Sequence, residues 1–298
     1  MAVLRRALGT LPLASRLASA GLCVYRQLFQ PSYSVWQRLG HTLAEDPVVA
    51  LPEFHGSFAI GARSHIFYRI LRTGVYEPAL AACALQQLVR GKDAIDVGAN
   101  VGFFSVLLAR HIGAGRVLSI EPTPQALARL RRNLALNGIP AEKVIIYEGV
   151  VSKKPGKASL TTIEDKEEYS TIGQLAHLSV ADLPRAVREV DCATLDELVL
   201  KHDLVPSFVK IDAEGAEEWV IEGARETLAK HRPVVLLEVS RDLLRRNGCD
   251  PAQLERMLRD LGYTFRDPRT GKALASVGAI EETLLVPRSG TPGVDAPD

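Results

Sequence analysis

The chain has 298 residues, is 47% apolar and carries a formal net charge of +1. That length allows one large domain with an appendage, or at most two domains, and the near-zero charge argues against nucleic acid as the main partner, because a phosphate-binding face shows as a basic excess. Cys23, Cys83, Cys192 and Cys249 are far apart with no C-x-x-C pair, which speaks against a zinc site or redox motif and fits a reducing, cytoplasmic interior.

Residues 1–44 hold no acidic residue, and Arg5, Arg6, Arg16, Arg26 and Arg38 are scattered among Leu, Ala and Val. Arg16 interrupts the apolar run, so neither a spanning helix nor a secretory core fits. Three readings stay open. A basic amphipathic helix on an anionic membrane surface is one, and an organelle transit peptide is another. The third is a helical appendage docked on the domain, and Tyr25, Phe29, Tyr33 and Trp36 favour docking.

Short strands and turns are predicted over 47–65, closing an N-terminal appendage of residues 1–65. A helix follows and ends near Gly74, and Pro78 opens a second over 79–90 with Ala and Leu on one face. Tyr76 and Glu77, between them, stand either above a pocket or in a plain helix-joining turn.

The rest of the chain is organised around Ala94-Ile95-Asp96-Val97-Gly98-Ala99-Asn100-Val101-Gly102-Phe103-Phe104. It reads as a strand, a tight turn and a helix N-terminus, the arrangement that seats a nucleotide-like ligand at the carboxyl edge of a parallel sheet. Gly98 and Gly102 would clear side chains from the ligand's path. Asn100 tolerates a left-handed turn. The loop is not G-x-G-x-x-G, which disfavours a nicotinamide or flavin. A second apolar run, 116–120, ends at Glu121, twenty-five residues after Asp96, where an acidic side chain can accept both ribose hydroxyls. Asp96 at the first strand tip suits the ammonium end of S-adenosylmethionine better than a pyrophosphate. A structural strand-turn-helix with an exposed Glu121 is the alternative.

Further on, a helix over 124–137 starts at Pro124 and stops at Asn137-Gly138. A third strand, 143–148, brings Glu148, Gly149 and Val150 to the place of the adenine edge. Residues 157–163 and 188–193 alternate like exposed strands around a polar segment, 164–186, that is either a solvated surface or a cap over a substrate pocket. Thr194 and Glu197 form a capping-box pattern opening a helix over 194–204. Phe208-Val209-Lys210-Ile211-Asp212-Ala213-Glu214-Gly215-Ala216-Glu217 gives a fourth strand, ending at Asp212, and a helix to about Lys230. A strand to Glu238, a helix over 251–261 and two consecutive strands, 263–265 and 282–286, complete the domain. Residues 288–298 read as a disordered tail. Strands alternating with helices imply a mostly parallel sheet with helices on both faces, and the two last strands imply one antiparallel edge strand.

Taken together, Gly74-Val75-Tyr76-Glu77, Asp96 to Gly102, Glu121-Pro122, Thr194-Leu195-Asp196, Lys210 to Glu217 and Pro233 to Glu238 resemble the FkbM-type methyltransferases over roughly residues 70–240. The lysine-to-glutamate stretch is the most specific part. The resemblance implies a Rossmann-like class I methyltransferase fold with a seven-stranded sheet, here spanning residues 66–287, and S-adenosylmethionine as cofactor. It also implies an acceptor hydroxyl on a sugar of a glycan or glycolipid, or on a polyketide or other small molecule.

Methyl transfer requires the acceptor oxygen to be aligned and deprotonated. Asp212, at a strand tip beside the cofactor crevice, is the first candidate base. Glu214, Glu217 and Glu238 follow, and Lys210 alternates onto the side of Asp212, where it favours an ionised carboxylate. A helix-capping role competes for the glutamates. A Mg²⁺ or Ca²⁺ site competes for the whole group, but no D-x-D-type loop is present and a metal-free base is preferred. His177, His202 and His231 are further bases that the sequence does not bring to a pocket. The cofactor side comprises Asp96, Gly98, Asn100, Gly102, Glu121, Glu148, Gly149 and Val150. An NAD-dependent oxidoreductase and a non-catalytic glycan or membrane-surface module, the latter binding through residues 1–44, are the competing classes. Acceptor identity and oligomeric state have no signature in the sequence.

Overall fold

A computed structural model describes residues 45–163, 171–172 and 185–288. The basic segment 1–44, most of the polar segment with His177, and the tail from 289 lie outside the described residues. Among the described residues, no helix is long and apolar enough to cross a membrane.

Seven strands form the main sheet, β1 Asp93–Val97, β2 Val117–Ile120, β3 Val144–Tyr147, β4 Pro206–Ile211, β5 Val234–Glu238, β6 Tyr263–Arg266 and β7 Glu282–Pro287. Their order across the sheet is β3-β2-β1-β4-β5-β7-β6. The neighbours from β3 to β5 pair in parallel, and β7 is antiparallel to both β5 and β6. This is a seven-stranded, mostly parallel sheet of the kind that the resemblance implies. The antiparallel strand is not at the edge, however. The β5-to-β6 crossover leaves one slot open, and the return from β6 over residues 267–281 brings β7 into it. That position buries Thr283, Leu284 and Leu285.

Nine helices are described, α1 His65–Thr73, α2 Pro78–Gln87, α3 Phe103–His111, α4 Pro124–Leu136, α5 Leu195–Lys201, α6 Glu217–Glu222, α7 Arg225–His231, α8 Arg241–Arg246 and α9 Pro251–Asp260. Ser64 caps α1 by accepting the Phe67 N–H, and Thr194 and Glu197 form the expected capping box on α5. Periodicity predicts one helix over 217–230, but two are present. Gly223 lies so close to Ser152 that a Cβ would stand 2.2 Å from its carbonyl oxygen, and the chain breaks there. Asp196 then caps α7 by accepting the Glu226 and Thr227 N–H groups. Helix α8 has no counterpart among the expected elements.

Strand alternation sorts the two faces of the sheet. Ile95, Val97, Leu118, Ile120, Val209 and Ile211 point to the apolar layer that holds α5 to α9. Asp96, Ser119 and Lys210, which are register neighbours, point to the opposite layer, beneath α3. Residues 149–151, 156–163, 171–172 and 185–193 make a separate four-stranded sheet. In it Gly149–Val151 pairs in parallel with Asp191–Ala193.

A hairpin of Val48–Leu51 and Gly56–Ala59, read above as appendage, sends Leu51, Phe54 and Phe58 into the same core as α1 to α4. Asn133 ties it down: Oδ1 accepts the Ala59 N–H at 2.7 Å, and Nδ2 donates to the carbonyls of Ala59 and Val101 at 3.0 and 2.8 Å. Asn133→Ala leaves a buried N–H and two buried carbonyls unpaired. It should cost about 2–4 kcal/mol, read as a lower urea midpoint; an unchanged midpoint would show that the hairpin is not anchored there.

Candidate active site

A cleft of about 860 Å³ opens at the carboxyl ends of β1, β2, β4 and β5, where ligands of doubly wound sheets bind. On one side lie α1 and the turn into α2, and on the other α6, α8 and the strand after β3. The cleft thus crosses the edge of the sheet.

The turn after β1 takes the conformation its residues suggest, with Gly98, Asn100 and Gly102 all left-handed at φ 75°, 48° and 90°. Why the glycines are required differs from the expectation. A Cβ on Gly98 would lie 1.9 Å from the Asp212 carbonyl oxygen, and one on Gly102 2.4 Å from Leu130 Cδ1. The two clear space for the neighbouring strand and for α4. Gly98 still borders the cleft, whereas Gly102 does not.

Glu121, 5% exposed, turns its carboxylate back over this loop. Oε2 accepts the Asn100 N–H at 2.9 Å, and Oε1 accepts the Thr123 N–H at 2.8 Å and the Thr123 hydroxyl. Asn100 Oδ1 is buried with no hydrogen-bond partner. Asp96 does not reach the cleft. It is 1% exposed, and its Oδ2 accepts the Ser105 hydroxyl at 2.6 Å, which in turn meets Ser119 Oγ at 2.7 Å. Alternation turns Asp96 under α3, and its Oδ1 is buried with no hydrogen-bond partner. Glu148 is also outside. Its side chain faces solvent and pairs with Arg131 on α4, because the pleat at the end of β3 points it away from the cleft. Gly149 and Val150 do line it.

Asp212, Glu214, Glu217 and Glu238 all line the cleft. Ile211 and Leu237 are register partners, so Asp212 and Glu238 stand side by side at adjacent strand ends. Beneath them Lys210 is almost fully buried, with Nζ 3.1 Å from Asp212 Oδ2 and 5.1 Å from the Phe104 ring centre. Burial opposes its charge, but Asp212, Asp96, Glu238 and Glu77 together hold the ammonium protonated well above its usual range. Glu238 is pushed far up, first by the charge of Asp212 and then by burial. Burial also raises Glu77, which sits at φ 46° at the start of α2 and pairs with Arg69 at 3.4 Å. Tyr76 and Glu77 both line the cleft, so the turn between α1 and α2 is more than a joint. Glu214 lines it too, at φ 48°. Glu217 lies at the other end of the turn. Burial pushes its carboxyl up to about 7, while N–H groups of Gly215 and Ala213 counter the rise. His202 and His231 are away from the cleft.

The FkbM methyltransferase domain matches residues 96–265, more than half of the chain. The chain belongs to the FkbM methyltransferase family. It is 28% identical over 198 residues to methyltransferase sdnD of Sordaria araneosa, covering 59% of this chain and 74% of that one. To the 2-O-methyltransferase NoeI of Sinorhizobium fredii (strain NBRC 101917 / NGR234) it is 26% identical over 148 residues, 46% of this chain and 59% of that one. A solved FkbM methyltransferase from Methylobacillus flagellatus KT overlays with a TM-score of 0.41 at 15% identity, covering 91% of this chain and 60% of that one. The chain therefore spans about three-fifths of the length of NoeI and of the solved FkbM protein.

This FkbM protein is a methyltransferase, and S-adenosylmethionine is its methyl donor. The cleft fits that cofactor on its own terms. It combines an acidic side chain at the β2 tip with buried acceptor atoms on Asn100 and Glu217 that have no protein partner. No cluster of metal-ligating side chains is present among the described residues. Several cleft residues were not identified from the sequence. His65, Arg69 and Arg72 line it from α1, at i, i+4 and i+7, the spacing of one helix face. The signal was present, but nothing local says what that face meets. Ser240, Asp242 and Arg246 enter from the unexpected α8.

Proposed function

We propose that this methyltransferase acts on oxygen, methylating a sugar hydroxyl of a glycan or glycolipid, with Asp212 taking the hydroxyl proton. The observation that carries the reading is the Asp212–Glu238 pair standing over the buried Lys210 in the cleft. S-adenosylmethionine, when bound, supplies an electrophilic methyl group on a good leaving group. A sugar hydroxyl is a poor nucleophile while protonated, so the chain must provide a base. Glu238 keeps its own proton, because a second negative charge beside Asp212 is penalised by repulsion and burial. That leaves Asp212, fixed by its ion pair with Lys210, to accept the proton, while the protonated Glu238 can donate a hydrogen bond to the acceptor oxygen. Tyr68, Thr73, Ser240 and Asp242 also line the cleft, a mix of ring and polar groups that suits a polyhydroxylated molecule. The name of NoeI, a 2-O-methyltransferase, supports oxygen as the acceptor. Gly98, Asn100, Glu121, Gly149 and Val150 would hold the cofactor.

Two measurements test this reading. Glu121→Ala should weaken binding of S-adenosylhomocysteine about 100-fold, the loss expected for two hydrogen bonds to a charged group. Unchanged affinity by calorimetry would remove Glu121 from the site. For the acceptor, methyl-labelled S-adenosylmethionine is incubated with fractionated extract of the source cells. Label in polysaccharide or glycolipid supports the sugar reading. Label in small molecules replaces it with a polyketide or similar hydroxyl, and label in protein or nucleic acid discards it. Cofactor binding with no label in any fraction favours a non-catalytic module.

A further inference from the structure

Part of the cleft has an apolar lining. Val150 and Val151 follow β3, Leu160 comes from the small sheet, and Val220 lies three residues after Glu217 on α6. These four side chains give the cleft an apolar slot, and Glu217, on α6 with Val220, is a carboxylic acid of the same lining. Glu217 is 2% exposed. Its Oε1 is used by the protein, accepting the Gly215 N–H at 2.9 Å and the Ala213 N–H at 3.3 Å. Its Oε2 is buried and has no hydrogen-bond partner. A buried carboxyl oxygen without a donor is costly, so the position asks for an N–H or O–H from a ligand.

Resting on the assignment of the cleft to S-adenosylmethionine, we infer that Glu217 Oε2 accepts a hydrogen bond from the exocyclic amine of the adenine ring, and that this side chain selects adenine over other purines. The ribose at Glu121 and the methyl end at Asp212 leave the apolar slot for the base. A flat ring with a donor on its edge matches apolar walls bordered by one acceptor. The β3 tip supplies no competing acidic side chain, because Glu148 is turned out to Arg131.

The test compares S-adenosylhomocysteine with S-inosylhomocysteine, in which a carbonyl oxygen replaces the amine. Calorimetry on the wild-type chain should favour the adenosyl compound about 10-fold or more. Glu217→Gln keeps an oxygen for the turn and can present an amide N–H₂ where Oε2 stood. Its adenosyl-to-inosyl affinity ratio should fall about 10-fold or more. The ratio is taken within one protein, so a general loss of binding does not move it. An unchanged ratio in the variant, or a wild-type ratio near one, overturns the inference and reduces Glu217 to a clamp on the turn, with the cofactor assignment intact. A wild-type chain that binds neither compound overturns both.

Discussion

Asp212→Asn should lower turnover about 10²–10⁴-fold, the range for loss of a positioned base, while S-adenosylhomocysteine binds with unchanged affinity. The substitution keeps size and shape, so the close approach of the Asp212 carbonyl to Gly98 survives. What it removes is a carboxylate that can take a proton 3.1 Å from Lys210 Nζ. When the charge of Asp212 goes, Glu238 loses the largest cause of its raised value, although burial still raises it. Glu214 belongs to a left-handed turn beyond the strand end. Single-turnover kinetics with the acceptor found by labelling would separate chemistry from binding. Turnover within a few-fold of wild type would rule out Asp212 as the base.

Lys210→Met should destabilise the chain by about 3–5 kcal/mol, the cost of removing one partner from a buried ion pair. Lys210 is 7% exposed and is the cation shared by Asp212, Asp96, Glu238 and Glu77. A Met fills the volume against Phe104 but leaves the carboxyls facing one another. They respond by keeping protons. Asp96, Glu77 and Glu238 already have raised values with the lysine present, and without it they rise further. A carboxyl whose folded value is raised stabilises the fold below its unfolded value, near pH 4–4.5, and that stability is lost as pH increases. The deficit of the variant should therefore be small near pH 5 and large near pH 8. Urea midpoints at the two pH values decide it, and equal deficits would show that Lys210 does not hold the acidic group together.

How much of this was legible in the sequence varies with the range of the interaction. The β1 turn was readable because its conformation is local: Gly98 and Gly102 permit positive φ, and Asn100 tolerates it. The strand ends at Asp212 and Glu238 were readable because an apolar run stops at a charge. The alternation that puts Lys210 on the side of Asp212 follows from the period of a strand. The same period turns Asp96 beneath α3, but choosing between the two faces requires knowing what covers each, and that is decided by packing.

Local pattern alone determined the order of strands and helices, the left-handed loop and the identity of the acidic strand tips, since these depend on neighbours a few residues apart. The tertiary structure decided the rest. It set β7 inside the sheet, broke the helix at Gly223 against Ser152, and turned Glu148 out to Arg131. It also brought α1 and α8 over the cleft and left one oxygen of Glu217 buried without a hydrogen-bond partner. Each of these depends on atoms distant in sequence approaching within a few ångströms, and residue spacing carries no record of such contacts.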